Sequence, residues 1–194
     1  MLKIIHRVNS VSELAMLPKE FGVELDVRNE GRKLILNHEP YGNGESFDAY
    51  CAAFRHAFMI VNVKTEGIEA AVLETLAKHK IEKFFLLDLT FPAIVKLSGA
   101  GEKRIAVRFS EYEPIEGCLA MKGKVDWVWA DTFSRLPLDR KSYALLHAAG
   151  FHICLVCPER WGRKGDIAGY KAEMKKQGIE IDSVMTSKEC AMEW

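Results

Sequence analysis

Short apolar runs rich in β-branched and aromatic residues recur along the chain, with amphipathic stretches between them. Eight of these runs read as strands: KIIHR (3–7), GVELDVR (22–28), FMIVNVK (58–64), KFFLLD (83–88), RIAVRF (104–109), VDWVWAD (125–131), FHICLVC (151–157) and IDSVMTS (181–187). A further strand-like piece, KLILNHEP (33–40), follows the turn RNEGR so closely that it is expected to pair with or extend the second strand. The intervening helices have legible ends. TEGIEAAVLETLAKHK opens on Thr65 as a candidate N-cap and closes on Lys78, His79 and Lys80, as the helix dipole favours. DRKSYALLHAAG stops at Gly150 and DIAGYKAEMKKQG at Gly178, both suited to the left-handed position past a helix end. Another helix is expected at SFDAYCAAFRHA.

Strands that alternate with helices call for a parallel sheet covered by helices, hence an α/β fold. Eight such strands in 194 residues predict a compact (β/α)8 TIM barrel forming a single domain over residues 1–194. An open doubly wound sheet is the alternative, but no G-x-G-x-x-G or G-x-x-x-x-G-K-[ST] follows any strand.

Composition removes some function classes. The 27 basic and 27 acidic side chains balance, so no overall positive field is available for a nucleic-acid backbone. No apolar run approaches a bilayer's width and no signal-peptide core opens the chain, which predicts a protein without an integral membrane segment, in the cytoplasm. Five cysteines without framework spacing (Cys51, Cys118, Cys154, Cys157, Cys190) suit a reducing compartment. Cys154 and Cys157 form a C-x-x-C, yet on a strand they would face opposite ways, which disfavours a redox or zinc role.

In a barrel, chemistry gathers at the carboxyl ends of the strands. Those ends carry His6 and Arg7, Glu24 and Asp26, Asn62 and Lys64, Asp88, Arg108, Asp131, Cys157 with Glu159, and Thr186. Glu24 and Asp26, two apart on a strand, share a face among apolar neighbours. Such a pair repels unless a proton or a cation intervenes, and a hard divalent ion with oxygen ligands is one solution. Salt bridges to Arg7, Arg28 or Lys64 are the other. His6 and His38 each end an apolar run and together offer one group to take a proton and one to return it near neutral pH.

The order H-R, E-L-D, an apolar strand into N-H-E-P, and V-N-V-K resembles the glycerophosphodiester phosphodiesterase family and the wider phosphoinositide phospholipase C-like barrels, some of them lipid phosphodiesterases. The family pattern is H-R-G, then E-x-D, H-D and E-x-K, and the closing VMTS resembles its V-x-T-D. The resemblance is specific from residue 4 to residue 64 and beyond that rests on strand order. It implies that His6 and His38 are the catalytic acid/base pair and that Arg7 and Lys64 bind the substrate phosphate. It also implies that Glu24 and Asp26 hold a divalent metal cation, magnesium or calcium.

This chain departs from the pattern twice. Asn62 stands where the family has the glutamate of E-x-K, which predicts a more weakly held cation unless Asp88 on the next strand compensates. Val8 stands where the family has glycine, which predicts a reshaped first loop. The expected activity is metal-dependent hydrolysis of a small phosphodiester, either a glycerophosphodiester or a sugar- or polyol-phosphate relative, with water or a vicinal substrate hydroxyl as nucleophile. Two other readings stand beside it: a phospho-ligand-binding barrel that does not turn its ligand over, and an aldolase-type barrel using Lys64 as a Schiff-base lysine. Arg108, Ser110, Glu111, Asp131, Phe133, Glu159, Arg160 and Trp161 are expected to border the mouth. His56, His79, His147 and His152 are expected to be structural, and Trp127 and Trp129 to pack in the core.

Overall fold

The computed structural model describes every residue, Met1–Trp194. The chain divides into two compact units, Ile4–Ile94 and Val95–Trp194 together with Met1–Lys3. In chain order the first half runs β1 (Leu2–Ile5), α1 (Val11–Ala15), β2 (Gly22–Glu30), β3 (Lys33–Leu36), β4 (Glu45–Ser46), α2 (Phe47–Ala53), β5 (Met59–Val63), α3 (Glu69–Lys78), β6 (Phe84–Leu87) and α4 (Phe91–Gly99). The second half runs β7 (Ala106–Phe109), α5 (Ile115–Leu119), β8 (Trp127–Ala130), α6 (Arg140–Ala148), β9 (His152–Val156), α7 (Ile167–Gln177) and β10 (Ser183–Thr186).

In the Ile4–Ile94 unit, β1, β2, β5 and β6 pair side by side and parallel, with Ile5 opposite Val23, Asp26 opposite Asn62 and Asn62 opposite Leu87. Strand β5 is buried at every position, as expected for a parallel strand covered on both faces. One face of β2 carries Val23, Leu25 and Val27, all fully buried, and the alternate face carries Glu24 and Asp26. β2 is longer than the apolar run suggests because residues 27–30 turn back at Gly31, whose φ is +58°, and pair antiparallel with β3. β4 then pairs antiparallel with β3. The KLILNHEP segment is therefore the return arm of a hairpin on β2, and it brings residues 37–40 back alongside the end of that strand.

The other unit repeats the parallel arrangement with β7, β8, β9 and β10 in that order. All eight apolar runs are strands, four parallel ones in each unit, so the α/β class follows directly from the periodicity. Helix ends behave as their residues dictate. Asp139 and Ser142 close a capping box on α6, and α7 stops at Gly178, whose φ of +68° suits glycine. Thr65 does not cap α3. The helix begins four residues later, at Glu69, whose side chain reaches back to accept the Gly67 N–H at 3.1 Å.

Candidate active site

Glu24 and Asp26 are buried, 2% and 1% exposed. Removing a carboxylate from water favours its protonated form, and a neighbouring negative charge does the same. Burial, followed by the Asp26 charge, pushes Glu24 up to about 7, against the opposing pull of hydrogen bonds from the Arg7 N–H and Asn62 and of the Lys64 charge.

The segment after β1 is strung along this carboxylate face. The Arg7 N–H donates to Glu24 Oε2 at 2.8 Å, and the Val8 N–H donates to the Glu24 carbonyl at 2.8 Å. Asn9 then engages Asp26 twice: its Nδ2 donates to Oδ2 at 2.9 Å, and its Oδ1 accepts the Asp26 N–H at 2.8 Å. His6, immediately past the strand, places Nε2 3.8 Å from Glu24 Oε2. The reshaped loop expected from Val8 takes a specific form. The left-handed backbone falls on Arg7, with φ +54°, and Val8 is buried instead of hinging the loop. The Arg7 Nε is also buried without a hydrogen-bond partner.

From β5, Asn62 Nδ2 donates to Glu24 Oε1 at 3.1 Å, and Lys64 Nζ lies 3.5 Å from Asp26 Oδ1. Lys64 also reaches Asp88 Oδ2 at 3.4 Å, just past β6, where Asp88 adopts φ +61°. Two non-glycine residues in the left-handed region, Arg7 and Asp88, thus flank one acidic cluster, where such strain commonly collects. Asp88 is set on Lys64, and Asn62 is the side chain that adjoins Glu24.

No group of three or more His, Cys, Asp or Glu converges as a metal cage. The oxygens here nevertheless fit a hard cation. Asp26 Oδ1 and Asn62 Oδ1 are buried with no hydrogen-bond donor on either, they stem from register-paired residues, and the Glu24 carboxyl adjoins them. Asn62 adds an oxygen to this set without adding charge.

His38 follows β3, about one-third exposed, with Nδ1 2.6 Å from Glu39 Oε1. That hydrogen bond and the His38 charge, then the Arg7 and Arg28 charges, hold the Glu39 carboxyl below its usual range. Arg28 organises the surroundings: its guanidinium donates to the His38 carbonyl and to the Lys64 carbonyl. Glu24, Asp26, Arg7, His6 and Lys64 are therefore joined by direct contacts, whereas His38 is tied to them through Arg28. Asn9, Arg28 as an organiser, and Glu39 carry no role in the sequence reading. Asn9 sits in the same H-R-V-N stretch as His6 and Arg7, but a carboxamide in a loop has no motif of its own.

The rim residues expected from the second half form a network within their own unit. Arg108 Nη1 pairs with Asp131 Oδ2 at 2.9 Å, and Asp131 also accepts from Trp161 Nε1 at 2.9 Å, Trp129 Nε1 at 3.3 Å and the Thr132 N–H at 2.8 Å. Ser110 bonds Glu113, Glu111 bonds Ser134, and Glu159 accepts the Ser187 N–H. Phe133 packs on Trp161, and Arg160 lies over the same indole. Trp129 is buried, and Trp127 stacks on His152. His56, His79 and His152 bond Leu17, Asp48 and Asp182, and His147 packs on Tyr143. All five cysteines are free and buried.

No family model and no curated protein matches this sequence. Solved structures do. A protein from Agrobacterium tumefaciens C58 assigned as a glycerophosphoryl diester phosphodiesterase aligns over 100% of this chain and 96% of its own, with TM-score 0.70 and 15% identity. A glycerophosphodiester phosphodiesterase from the same organism aligns over 95% of this chain and 96% of its own, with TM-score 0.67 and 14% identity. A glycerophosphoryl diester phosphodiesterase from Parabacteroides distasonis aligns over 99% of this chain and 85% of its own, with TM-score 0.69 and 11% identity. At these identities the likeness establishes a shared fold.

Proposed function

We propose that this chain is a divalent-cation-dependent phosphodiesterase acting on a small phosphodiester, a glycerophosphodiester or a sugar- or polyol-phosphate relative, on a (β/α)8 barrel plan. The observation that carries the reading is the convergence of His6, Arg7, Asp26 and Lys64 on the buried Glu24 side of β2. The resemblance of residues 4–64 to the phosphodiesterase pattern supports it, as does the shared fold of the neighbours.

In this reading Glu24, Asp26 and the Asn62 carbonyl oxygen hold magnesium or calcium. The bound ion supplies charge neutralisation at a phosphoryl oxygen and lowers the pKa of the attacking hydroxyl. Arg7 and Lys64 bind the phosphate, and the ammonium held between Asp26 and Asp88 is preset for it. One imidazole of the His6–His38 pair takes the proton from the attacking water or vicinal hydroxyl. The other returns a proton to the leaving oxygen as the P–O bond breaks. Glu39 orients the His38 ring through Nδ1 and so leaves Nε2 for that proton.

Binding without turnover is the second reading. It draws support from Asn62, which adds no charge to the site, and from Lys64, which already supplies a counter-charge to Asp26. A Schiff-base role for Lys64 is disfavoured because two carboxylates engage its ammonium. Single-turnover hydrolysis of glycerophosphocholine and a chromogenic phosphodiester, with magnesium, calcium or manganese added, separates the readings. Phosphodiesterase activity that falls about 100-fold or more in His6→Ala and in His38→Ala supports catalysis. Equal inactivity of wild type and His6→Ala across the panel, with phosphate analogues still bound, establishes the binding role.

A further inference from the structure

Among the residues around the acidic pair, Asn9 stands out because its side chain is committed at both ends to a single partner. Its Oδ1 accepts the Asp26 N–H and its Nδ2 donates to Asp26 Oδ2, at 2.8 and 2.9 Å. A backbone N–H can be met only by the carboxamide oxygen, so the amide orientation is fixed and the NH2 group always faces the carboxylate. This clamp is not needed to hold the loop, whose backbone is secured separately. The Asn9 N–H donates to Glu13 Oε2 at 3.0 Å, and Ser10 Oγ caps the start of α1 by accepting the Glu13 N–H at 3.1 Å.

With Oδ2 taken by Asn9, the carboxylate of Asp26 has one oxygen without a hydrogen bond, Oδ1, and the Lys64 Nζ lies 3.5 Å from it. Oδ1 is buried and lies on the strand face it shares with Asn62 Oδ1, which has no hydrogen-bond partner either. Rotation of the carboxylate about Cβ–Cγ would break the Asn9 contact, so the direction of Oδ1 is set from outside the acidic pair.

We propose that Asn9 is a positioning residue that clamps Asp26 so that its Oδ1 meets a divalent cation together with Asn62 Oδ1. The inference deepens the reading above, in which Asp26 is a cation ligand. A second-layer partner of this kind typically governs 10- to 100-fold in metal affinity, since an unheld carboxylate must be ordered by the ion itself. Oriented carboxylates are as much a part of such sites as the ligands they present.

The test is manganese binding, read by electron paramagnetic resonance titration of wild type, Asn9→Ala and Ser10→Ala, with folding checked by near-UV circular dichroism. Asn9→Ala is expected to bind manganese about tenfold or more weakly. Ser10→Ala, which loosens the same loop without touching Asp26, is expected to bind it as wild type does. Equal affinity in Asn9→Ala and wild type overturns the proposal. So does an equal loss in both variants, which would mark a general effect of the loop, and so does a wild type that binds no manganese. Should Asn9→Ala fail to fold, amide NMR of the wild type decides: the Asn9 side-chain NH2 resonances shift with the Asp26 carboxyl during a magnesium titration, and resonances that stay still overturn the clamp. Because these readouts need no turnover, a chain that binds manganese in this pattern yet hydrolyses no phosphodiester refutes the catalytic reading and leaves the role of Asn9 standing.

Discussion

The Arg28 guanidinium donates to the His38 carbonyl from two nitrogens, Nε at 3.1 Å and Nη2 at 2.8 Å, while Nη1 reaches the Lys64 carbonyl at 3.1 Å. One planar fork from β2 thus sets the backbone that follows β3 and the backbone that ends β5. Arg28→Ala is expected to lower kcat/KM about 10- to 100-fold, a loss of transition-state stabilisation of about 1.4–3 kcal/mol. Arg28→Lys should recover little of this, because an ammonium cannot span two carbonyls in the fork's geometry. Steady-state kinetics of both variants check the pair, and wild-type activity in Arg28→Lys would refute the positioning role.

The Glu24 carboxyl makes stability depend on pH. Its folded value of about 7 lies above the ordinary 4.5, so the folded chain holds this proton more tightly than the unfolded chain does. The associated stability is complete below about 4.5 and is lost as the pH rises through about 7, of order 3 kcal/mol in the cation-free protein. Urea denaturation in chelator from pH 4.5 to 8 should show this decline, and Glu24→Gln should flatten it. A wild-type profile as flat as that of Glu24→Gln would be inconsistent with a buried, proton-holding Glu24.

Lys64 supplies the positive charge nearest Asp26. Lys64→Met leaves that buried carboxylate without its counter-charge, which should cost about 1–3 kcal/mol. It should also raise KM for a phosphodiester about tenfold or more. Added magnesium should then raise the melting temperature of Lys64→Met by more than that of wild type, since the ion replaces the missing charge. Thermal melts with and without magnesium decide the point.

Gly44 lies where the chain turns into β4. A Cβ built there would stand 2.2 Å from the Leu36 carbonyl oxygen, a backbone atom that cannot swing aside. Gly44→Ala should therefore destabilise by about 1–3 kcal/mol through displacement of the hairpin arm that leads to His38. Calorimetry measures the loss, and a melting temperature equal to wild type would show that this approach is looser than described.

Much of this architecture was legible because burial writes itself into period. Met59–Val63 and Phe84–Leu87 are buried throughout and read as continuous apolar runs. Glu24 and Asp26 stood out as carboxylates interrupting such a run. The parts that escaped notice depend on geometry over several residues. Asn29 and Glu30 belong to β2 because a hairpin partner returns to them, and α3 starts late, with Glu69 reaching back over the loop. Asn9, Arg28 and Glu39 act through contacts with carbonyls, a carboxylate and an imidazole, which no local pattern announces. The left-handed backbone at Arg7, in place of a glycine one position later, was equally invisible, since nothing in the sequence says which residue of a loop will carry the strain.

The contacts from Arg7 and Asn9 to β2 close over only 17 residues. Chain-closure entropy grows slowly with the length of the enclosed segment, and short closures are fast. The acidic face and the segment that clasps it are thus near neighbours along the polypeptide, so bringing those two together closes only a short loop.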